Sequence, residues 1–192
     1  MHSSKGSRAL PGRVRIIAGA WRGRRIEVAV TAGLRPTPDR VRETLFNWLG
    51  QRLEGLACLD LYAGSGALGF EAASRGAARV VLVERDPRAL AALERSREQL
   101  GATQVRIERA EALAWLARPG ERFDVVFLDP PFRQNAVPAI LPRLARRLRA
   151  GARVYVEAGA ALEAAAPWRE LRRGRAGQVS FQLLQWNGDE GE

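Results

Sequence analysis

The residues Asp129-Pro130-Pro131-Phe132 follow directly on the apolar run Phe123-Asp124-Val125-Val126-Phe127-Leu128. A strand that ends there carries the Asp129 carboxylate to the edge of a sheet. Each proline fixes its own φ and lacks an N–H, so the turn is stiff and its carbonyls have few local partners. The Asp129 carboxylate and the Pro130 carbonyl then become two fixed acceptors, with Pro131 and the Phe132 ring on the substrate side beyond them. Two acceptors beside a flat apolar surface suit a planar base with an exocyclic NH2 group. The acceptors take the two amine hydrogens while the aromatic ring stacks on the base. The same residues also fit a tight strand-to-loop turn with a buried aromatic, so the wider sequence has to decide.

A second constellation lies upstream. Leu59-Asp60-Leu61-Tyr62-Ala63-Gly64-Ser65-Gly66-Ala67-Leu68-Gly69 reads as a strand, a glycine turn around Ser65, and the start of a helix. Gly64 and Gly66 allow a sharp turn and close approach to a ligand, and Gly69 allows tight helix packing. Glu84 ends the next strand, 20 residues after Gly64, a spacing that also fits a dinucleotide fingerprint and keeps NAD in view. A carboxylate there can hold ribose hydroxyls of either nucleoside. Three features favour S-adenosylmethionine. Asp60, just before the turn, disfavours a pyrophosphate but suits a cationic methionine end. Glu111 opens Glu111-Ala112-Leu113 after the third strand, where it can accept from an adenine amine. The Asp129 motif has no obvious use in hydride transfer.

These two constellations need elements to hold them. Short strands are predicted at 14–19 and 25–30, forming a hairpin with a basic, aromatic tip at Ala20-Trp21-Arg22-Gly23-Arg24. A helix follows from about Asp39, capped by Thr37 or Asp39, with Val41, Leu45, Trp48 and Leu49 on its buried face. Arg40, Arg42 and Glu43 fall mostly elsewhere on it, as solvated charge or as a substrate-facing set. Strands at 57–61, 79–84, 105–108, 123–128 and 153–157 alternate with helices at 67–75, 87–100, 111–117 and 135–149. Repeated βα units imply a parallel sheet covered on both faces. Segments 169–173 and 178–186 close it as an antiparallel hairpin. Residues 1–13 read as a mobile basic arm, 14–186 as a single domain with 14–33 as its hairpin extension, and 187–192 as an acidic tail.

Composition bounds the partners. The 192-residue chain fits one domain, and no apolar run approaches the length of a transmembrane helix. The N-terminus lacks the apolar stretch of a signal peptide, and the single cysteine rules out an internal disulfide; a cytoplasmic protein is expected. Cys58 sits in an apolar run as a core residue, which weakens any mechanism through a covalent cysteine adduct. His2, the one histidine, lies in the arm, which argues against histidine base catalysis and zinc sites. With 31 basic and 21 acidic residues the net charge is +10. A surplus of that size favours a polyanionic partner, nucleic acid above all, and Lys5 is the only lysine among guanidinium groups suited to phosphate.

Taken together, Arg15-Ile16-Ile17-Ala18-Gly19, Trp21-Arg22-Gly23-Arg24, Leu34-Arg35-Pro36-Thr37, the block from Asp39 to Leu49, Leu59-Asp60, the glycine turn and Asp129-Pro130-Pro131-Phe132-Arg133 resemble the RsmD family. Its members are bacterial 16S rRNA guanine-N2 methyltransferases. The resemblance runs from about Arg15 to Trp186, and the block Arg35–Leu49 is more specific than the glycine loop. It implies a Rossmann-like, seven-stranded class I methyltransferase fold with an antiparallel last strand. It also implies S-adenosylmethionine as methyl donor and the guanine at position 966 as target, in rRNA or a small-subunit assembly intermediate, with no metal and no membrane. Asp129, Pro130 and Phe132 match its amine-methylating motif; Asp60, Gly64 and Gly66 match its first motif, and Glu84 its ribose position. Glu111 stands where asparagine or aspartate is commoner. Arg22, Arg24, Arg25, Arg40 and Arg42 are the expected RNA contacts. Two other readings stay open: an amine methyltransferase acting on DNA adenine or protein glutamine, and a non-catalytic RNA-binding assembly factor.

Overall fold

A computed structural model of the chain describes residues 12–29, 37–131 and 136–188. Most of the expected arm, the acidic tail from residue 189, Arg35 and Phe132 lie outside the described residues. Strands β1 (Gly12–Arg15) and β2 (Arg25–Val28) pair antiparallel as the predicted hairpin, so Gly12 and Arg13 belong to a strand and not to the arm. Next come α1 (Asp39–Trp48), β3 (Ala57–Asp60), α2 (Ala67–Ser74), β4 (Arg79–Glu84), α3 (Pro87–Leu100), β5 (Val105–Arg109), α4 (Ala112–Leu116) and β6 (Phe123–Leu128). After α5 (Val137–Leu144) and a 3-10 turn come β7 (Leu148–Ala158), β8 (Trp168–Ala176) and β9 (Val179–Trp186). The last helix is shorter and β7 longer than the sequence suggests; Pro142 lies near the end of α5, where it cannot donate to the helix ladder.

The main sheet has the order β5-β4-β3-β6-β7-β9-β8. β5 to β7 run parallel, and β9 runs antiparallel between β7 and β8. Alternation splits the strands' side chains between two cores. Phe127, Tyr155 and Phe181 face Leu45, Phe46 and Phe70 on one side; Leu59, Val126 and Val154 face Trp115, Ile140 and Leu144 on the other. Full burial of such side chains contributes about 1.5–3 kcal/mol each. Among the described residues no helix is long and apolar enough to cross a membrane.

One polar cluster joins the hairpin and α1 to this frame. Glu71, on α2, is fully buried. Its carboxylate accepts from the Ile17 and Ala18 N–H groups at 2.8 and 3.0 Å, from Arg75 Nε at 2.9 Å and from Arg42 Nη1 at 3.4 Å. Arg42 also donates to the Arg15 carbonyl at 2.8 Å and to Asp39 at 2.6 Å. Arg42 is therefore not a substrate contact as expected: it is completely buried, because Glu71 supplies the counter-charge that lets a guanidinium lie beside Leu45 and Phe46. The expected helix cap is also corrected. Pro38 occupies the cap position without a side-chain bond; the Thr37 hydroxyl instead donates to Glu157, and Asp39 pairs with Arg42.

Gly19 completes the joint. Its φ is +83°, and a Cβ there would lie 1.9 Å from the Ser74 carbonyl oxygen, so only glycine lets the hairpin tip meet the end of α2. Replacing Glu71 by Gln keeps the shape but leaves the buried Arg75 without its acid and Arg42 with Asp39 alone. It should cost about 3–5 kcal/mol, read as a lower urea midpoint, and should expose residues 12–28 to proteolysis. A midpoint shift equivalent to less than 1 kcal/mol would show that the hairpin and α1 are held by apolar packing alone.

Candidate active site

The carboxyl ends of four neighbouring parallel strands each deliver an acid: Glu84 from β4, Asp60 from β3, Asp129 just past β6, and Glu157 from β7. Strand order reverses between β3 and β6, the place where open α/β sheets bind ligands. In register, Asp60 stands beside Phe127 and Tyr155, and Asp129 and Glu157 are the next same-face residues on β6 and β7. Their backbones are therefore about 5 Å apart. Among the described residues no three such groups stand close enough to hold a metal ion.

The glycine turn is built around two of these acids. Gly66 has φ +75° and caps α2, and a Cβ there would come within 2.7 Å of Leu93 and Phe70. Asp60 accepts the Gly69 N–H at 3.1 Å, which ties the strand to the first turn of α2. Glu84 accepts the Gly64 N–H at 2.8 Å with one oxygen, and the Arg85 and Asp86 N–H groups at 2.7 and 2.8 Å with the other. Three of its roughly four lone-pair sites are thus used by the main chain, which leaves room for one further hydroxyl. Ser65 is buried within the turn. Glu111 lies nearby, but it also caps α4 by accepting the Ala114 N–H at 2.9 Å; this second duty was not foreseen. Beside it, Tyr62 is half-buried, and burial together with the Glu111 charge raises its phenol's pKa.

The acids are short of positive charge. Burial pushes the Asp60 carboxyl up to about 7, opposed by the Gly69 N–H, with the Glu84 charge adding to the rise and the Tyr62 N–H opposing it. Burial, then Glu157, then Asp60 raise Asp129 well above the usual carboxylate range. Burial raises Glu157 too, against hydrogen bonds from Tyr155 and Thr37. A ligand with a cationic end, a ribose and an amine-bearing base fits this set: the cation beside Asp60, the ribose at Glu84, the base toward Glu111.

The amine end is equally distinct. Among the described residues no hydrogen bond reaches the Asp129 carboxylate or the Pro130 carbonyl, although Pro130 is buried. Pro131 is exposed beside them. Glu157, which the sequence reading missed, accepts from the Tyr155 hydroxyl at 2.7 Å and from Thr37 at 3.3 Å. Its only sequence signal is an acid closing a strand, Tyr155-Val156-Glu157. Arg40 is exposed at the start of α1. Arg22 and Arg24 are not gathered to this end. The hairpin tip meets Ser74 at the far end of α2, and Arg24 donates to the Gln99 carbonyl near the far end of α3.

Known proteins resemble the chain in sequence and in fold. A family model described as "Conserved hypothetical protein 95" matches residues 14–185. The chain is 42% identical over 179 residues to Ribosomal RNA small subunit methyltransferase D of Escherichia coli K12, covering 91% of this chain and 90% of that one. It is 42% identical over 182 residues to the protein of the same name from Haemophilus influenzae, covering 91% and 94%. Among solved structures, the putative methyltransferase yhhF from Escherichia coli superposes with a TM-score of 0.85 at 42% identity, covering 93% of this chain and all of that one. An RNA methyltransferase from Salinibacter ruber shares the fold at a TM-score of 0.63 and 21% identity, over 82% and 97% of the two chains.

Asp60 gives a direct test of this electrostatic picture. An aspartate that ionises near 3.8 unfolded and near 7 folded contributes stability below about pH 4 that is lost as the pH rises to about 7. Between pH 5 and 8 the wild type should lose about 2–3 kcal/mol more than Asp60→Asn, measured by urea unfolding at each pH. Parallel pH profiles would mean that Asp60 is already compensated in the fold.

Proposed function

The chain belongs to the RsmD family, and on that premise we propose that it methylates small-subunit rRNA, with S-adenosylmethionine as donor and the exocyclic N2 of a guanine as acceptor. By resemblance the target is guanine 966 of 16S rRNA, met in the cytoplasm in rRNA or a small-subunit assembly intermediate. The observation that carries the reading is the pair of acceptors, Asp129 and the Pro130 carbonyl, with no donor among the described residues; Asp129 lies on the same face as Asp60, one same-face row further on. The relatives' names support rRNA as the substrate.

Asp60, the turn Gly64-Ser65-Gly66, Glu84 and Glu111 would hold the cofactor, which when bound supplies an electrophilic methyl group on a sulfonium. The remaining chemistry belongs to the chain. Guanine N2 is a poor nucleophile because its lone pair is delocalised into the ring. Asp129 and the Pro130 carbonyl accept its two hydrogens and turn that lone pair toward the methyl group. As the N–C bond forms, N2 must lose one proton. Asp129 is the acceptor in reach, and the Glu157 charge strengthens its hold on that proton. Phe132, which lies outside the described residues, is assigned to stack the extruded base, a contact worth about 1–3 kcal/mol in single-strand recognition. Positioning of the reacting atoms supplies much of the rest. Arg22, Arg24, Arg25 and Arg40 are assigned to RNA phosphates.

Methyl transfer from labelled S-adenosylmethionine to small-subunit particles lacking the modification, with naked 16S rRNA and adenine-containing DNA in parallel, tests this directly. N2-methylguanosine in the digested product is expected. Label in DNA, or in no nucleic acid, would overturn the substrate while leaving the fold in place. In the same assay Asp129→Ala should reduce turnover at least a hundredfold, in the range set by loss of a general base, with cofactor affinity nearly unchanged. Near-normal turnover in that variant would remove Asp129 from the mechanism.

A further inference from the structure

Among the described residues β8 is an open edge of the main sheet, with β9 as its one strand neighbour. Its nine residues carry four exposed arginines, Arg169, Arg172, Arg173 and Arg175, against one acid, Glu170. Glu170 is already engaged: Arg173 pairs with it at 2.8 Å and the Gln182 side chain donates to it. The other three arginines have no ion pair among the described residues. Arg169 donates to the Gln185 side chain, Arg172 to the Leu171 carbonyl and Arg175 to the Gly177 carbonyl. All three keep donors for another ligand, since a guanidinium carries five N–H groups. β9 contributes no charged residue of either sign.

Charge alone has a bland explanation, because charged side chains on an edge strand discourage aggregation. Register argues for more. Residues three apart on a regular strand face opposite ways, but a bulge at Leu171, between the pairs Glu170–Leu184 and Arg172–Leu183, restores Arg169 and Arg172 to one face. That face is the one bearing Tyr155, Glu157 and Asp129. Bulges re-aim side chains in this way. The same pairing puts Arg172 in the row of Tyr155 and Phe127; Arg175 alternates to the other face but lies one row beyond Glu157, at the carboxyl rim itself. Three strand spacings separate β8 from β6, about 14 Å, a distance that RNA flanking a base held at Asp129 can span.

The edge is also firmly mounted. Phe181 of β9 lies across Gly174, where a Cβ would come within 2.4 Å of its ring. The ring packs 5.3 Å from Trp48 of α1 and 6.3 Å from Tyr155, the donor to Glu157. A contrast is found at the amino ends of the strands. The arginines lining the pocket of about 440 Å³ there are all paired: Arg79 and Arg106 with Glu121, Arg106 also with Glu108, and Arg149 with Asp124. That cluster is charge-neutral; the β8 edge is not.

We propose that Arg169, Arg172 and Arg175 on the β8 edge form a docking track for the sugar-phosphate backbone of the RNA substrate, beside the segment that presents the target base. This rests on the rRNA reading above. The test is equilibrium binding of the full chain to a 16S rRNA fragment from 50 to 300 mM salt, a range set by the salt dependence of phosphate contacts, with titration of S-adenosylmethionine alongside. In Arg169→Ala/Arg172→Ala/Arg175→Ala the slope of log affinity against log salt should flatten by about 2–3, at 0.7–0.9 per phosphate. RNA affinity at low salt should fall at least tenfold, and cofactor affinity should stay unchanged. The triple Arg→Lys variant should recover most of the slope, which a merely structural role for these arginines would not give. A wild-type slope in the alanine variant overturns the track but leaves the rRNA reading intact. A wild-type chain with no salt-dependent affinity for the RNA overturns both.

Discussion

The buried Glu71 carboxylate is the contact on which the placement of the N-terminal elements depends. A carboxylate in the core is tolerable only when each oxygen is satisfied and its charge is countered. Here two main-chain N–H groups and two guanidinium groups do both. The partners come from three separate parts of the chain: the hairpin, α1 and α2 itself. Arg75 also lies over the Phe46 ring at 4.5 Å, so its charge is shared between the acid and a core aromatic. Burial makes the cluster demanding, and that demand fixes how α1 sits on the sheet. Because α1 is fixed, Thr37 at its start reaches Glu157, 120 residues later in sequence. The helix that carries Glu71 begins at Gly66. One short helix thus joins the glycine turn at its amino end to the hairpin joint at its carboxyl end.

Parallel strands explain why the site is crowded with like charge. All four of its strands point the same way, so their closing residues meet at one edge of the sheet. Glu84, Asp60, Asp129 and Glu157 are gathered by topology before any ligand is considered. Burial raises the proton affinity of Asp60 and Asp129 most, and the Glu84 charge adds to it at Asp60 and the Glu157 and Asp60 charges at Asp129. A cationic ligand relieves that repulsion at Asp60, while a neutral amine offers hydrogens to Asp129. The same electrostatics therefore serve both halves of the reaction: one acid prefers a cation, and the next is disposed to take a proton.

Periodic and local signals were legible in the sequence. The βα alternation, the glycine turn, the bounds of β4, α3 and β6, and the stiff Asp129-Pro130 turn follow from alternation, glycine and proline alone. What escaped depends on contacts between distant segments. Arg42 lies at helical spacing from Leu45 and Phe46, on the buried face, but a charged side chain reads as solvated unless its counter-charge is known. That counter-charge, Glu71, sits in Phe70-Glu71-Ala72-Ala73 with nothing local to mark it as buried. Glu157 is an ordinary strand-ending acid until the sheet order places β7 next to β6. Glu111 could be read as a ligand residue, but its capping of α4 needs the helix start to be located within one residue.

Net charge was informative about the class of partner and silent about where that partner binds. A surplus of ten positive charges can be spread evenly or concentrated, and only the pairing pattern separates the two. At the amino ends of the strands the arginines are matched by glutamates and aspartates, so that end has little field of its own. On β8 the single glutamate is occupied by Arg173 and Gln182, and the remaining cations are exposed. The bulge at Leu171 then matters more than the number of arginines, because it decides which face of the sheet they serve. An edge strand needs charge of either sign to avoid pairing with other chains. Placing only positive charge, Arg169 and Arg172, on the face that holds Asp129 is a further property that edge protection does not require.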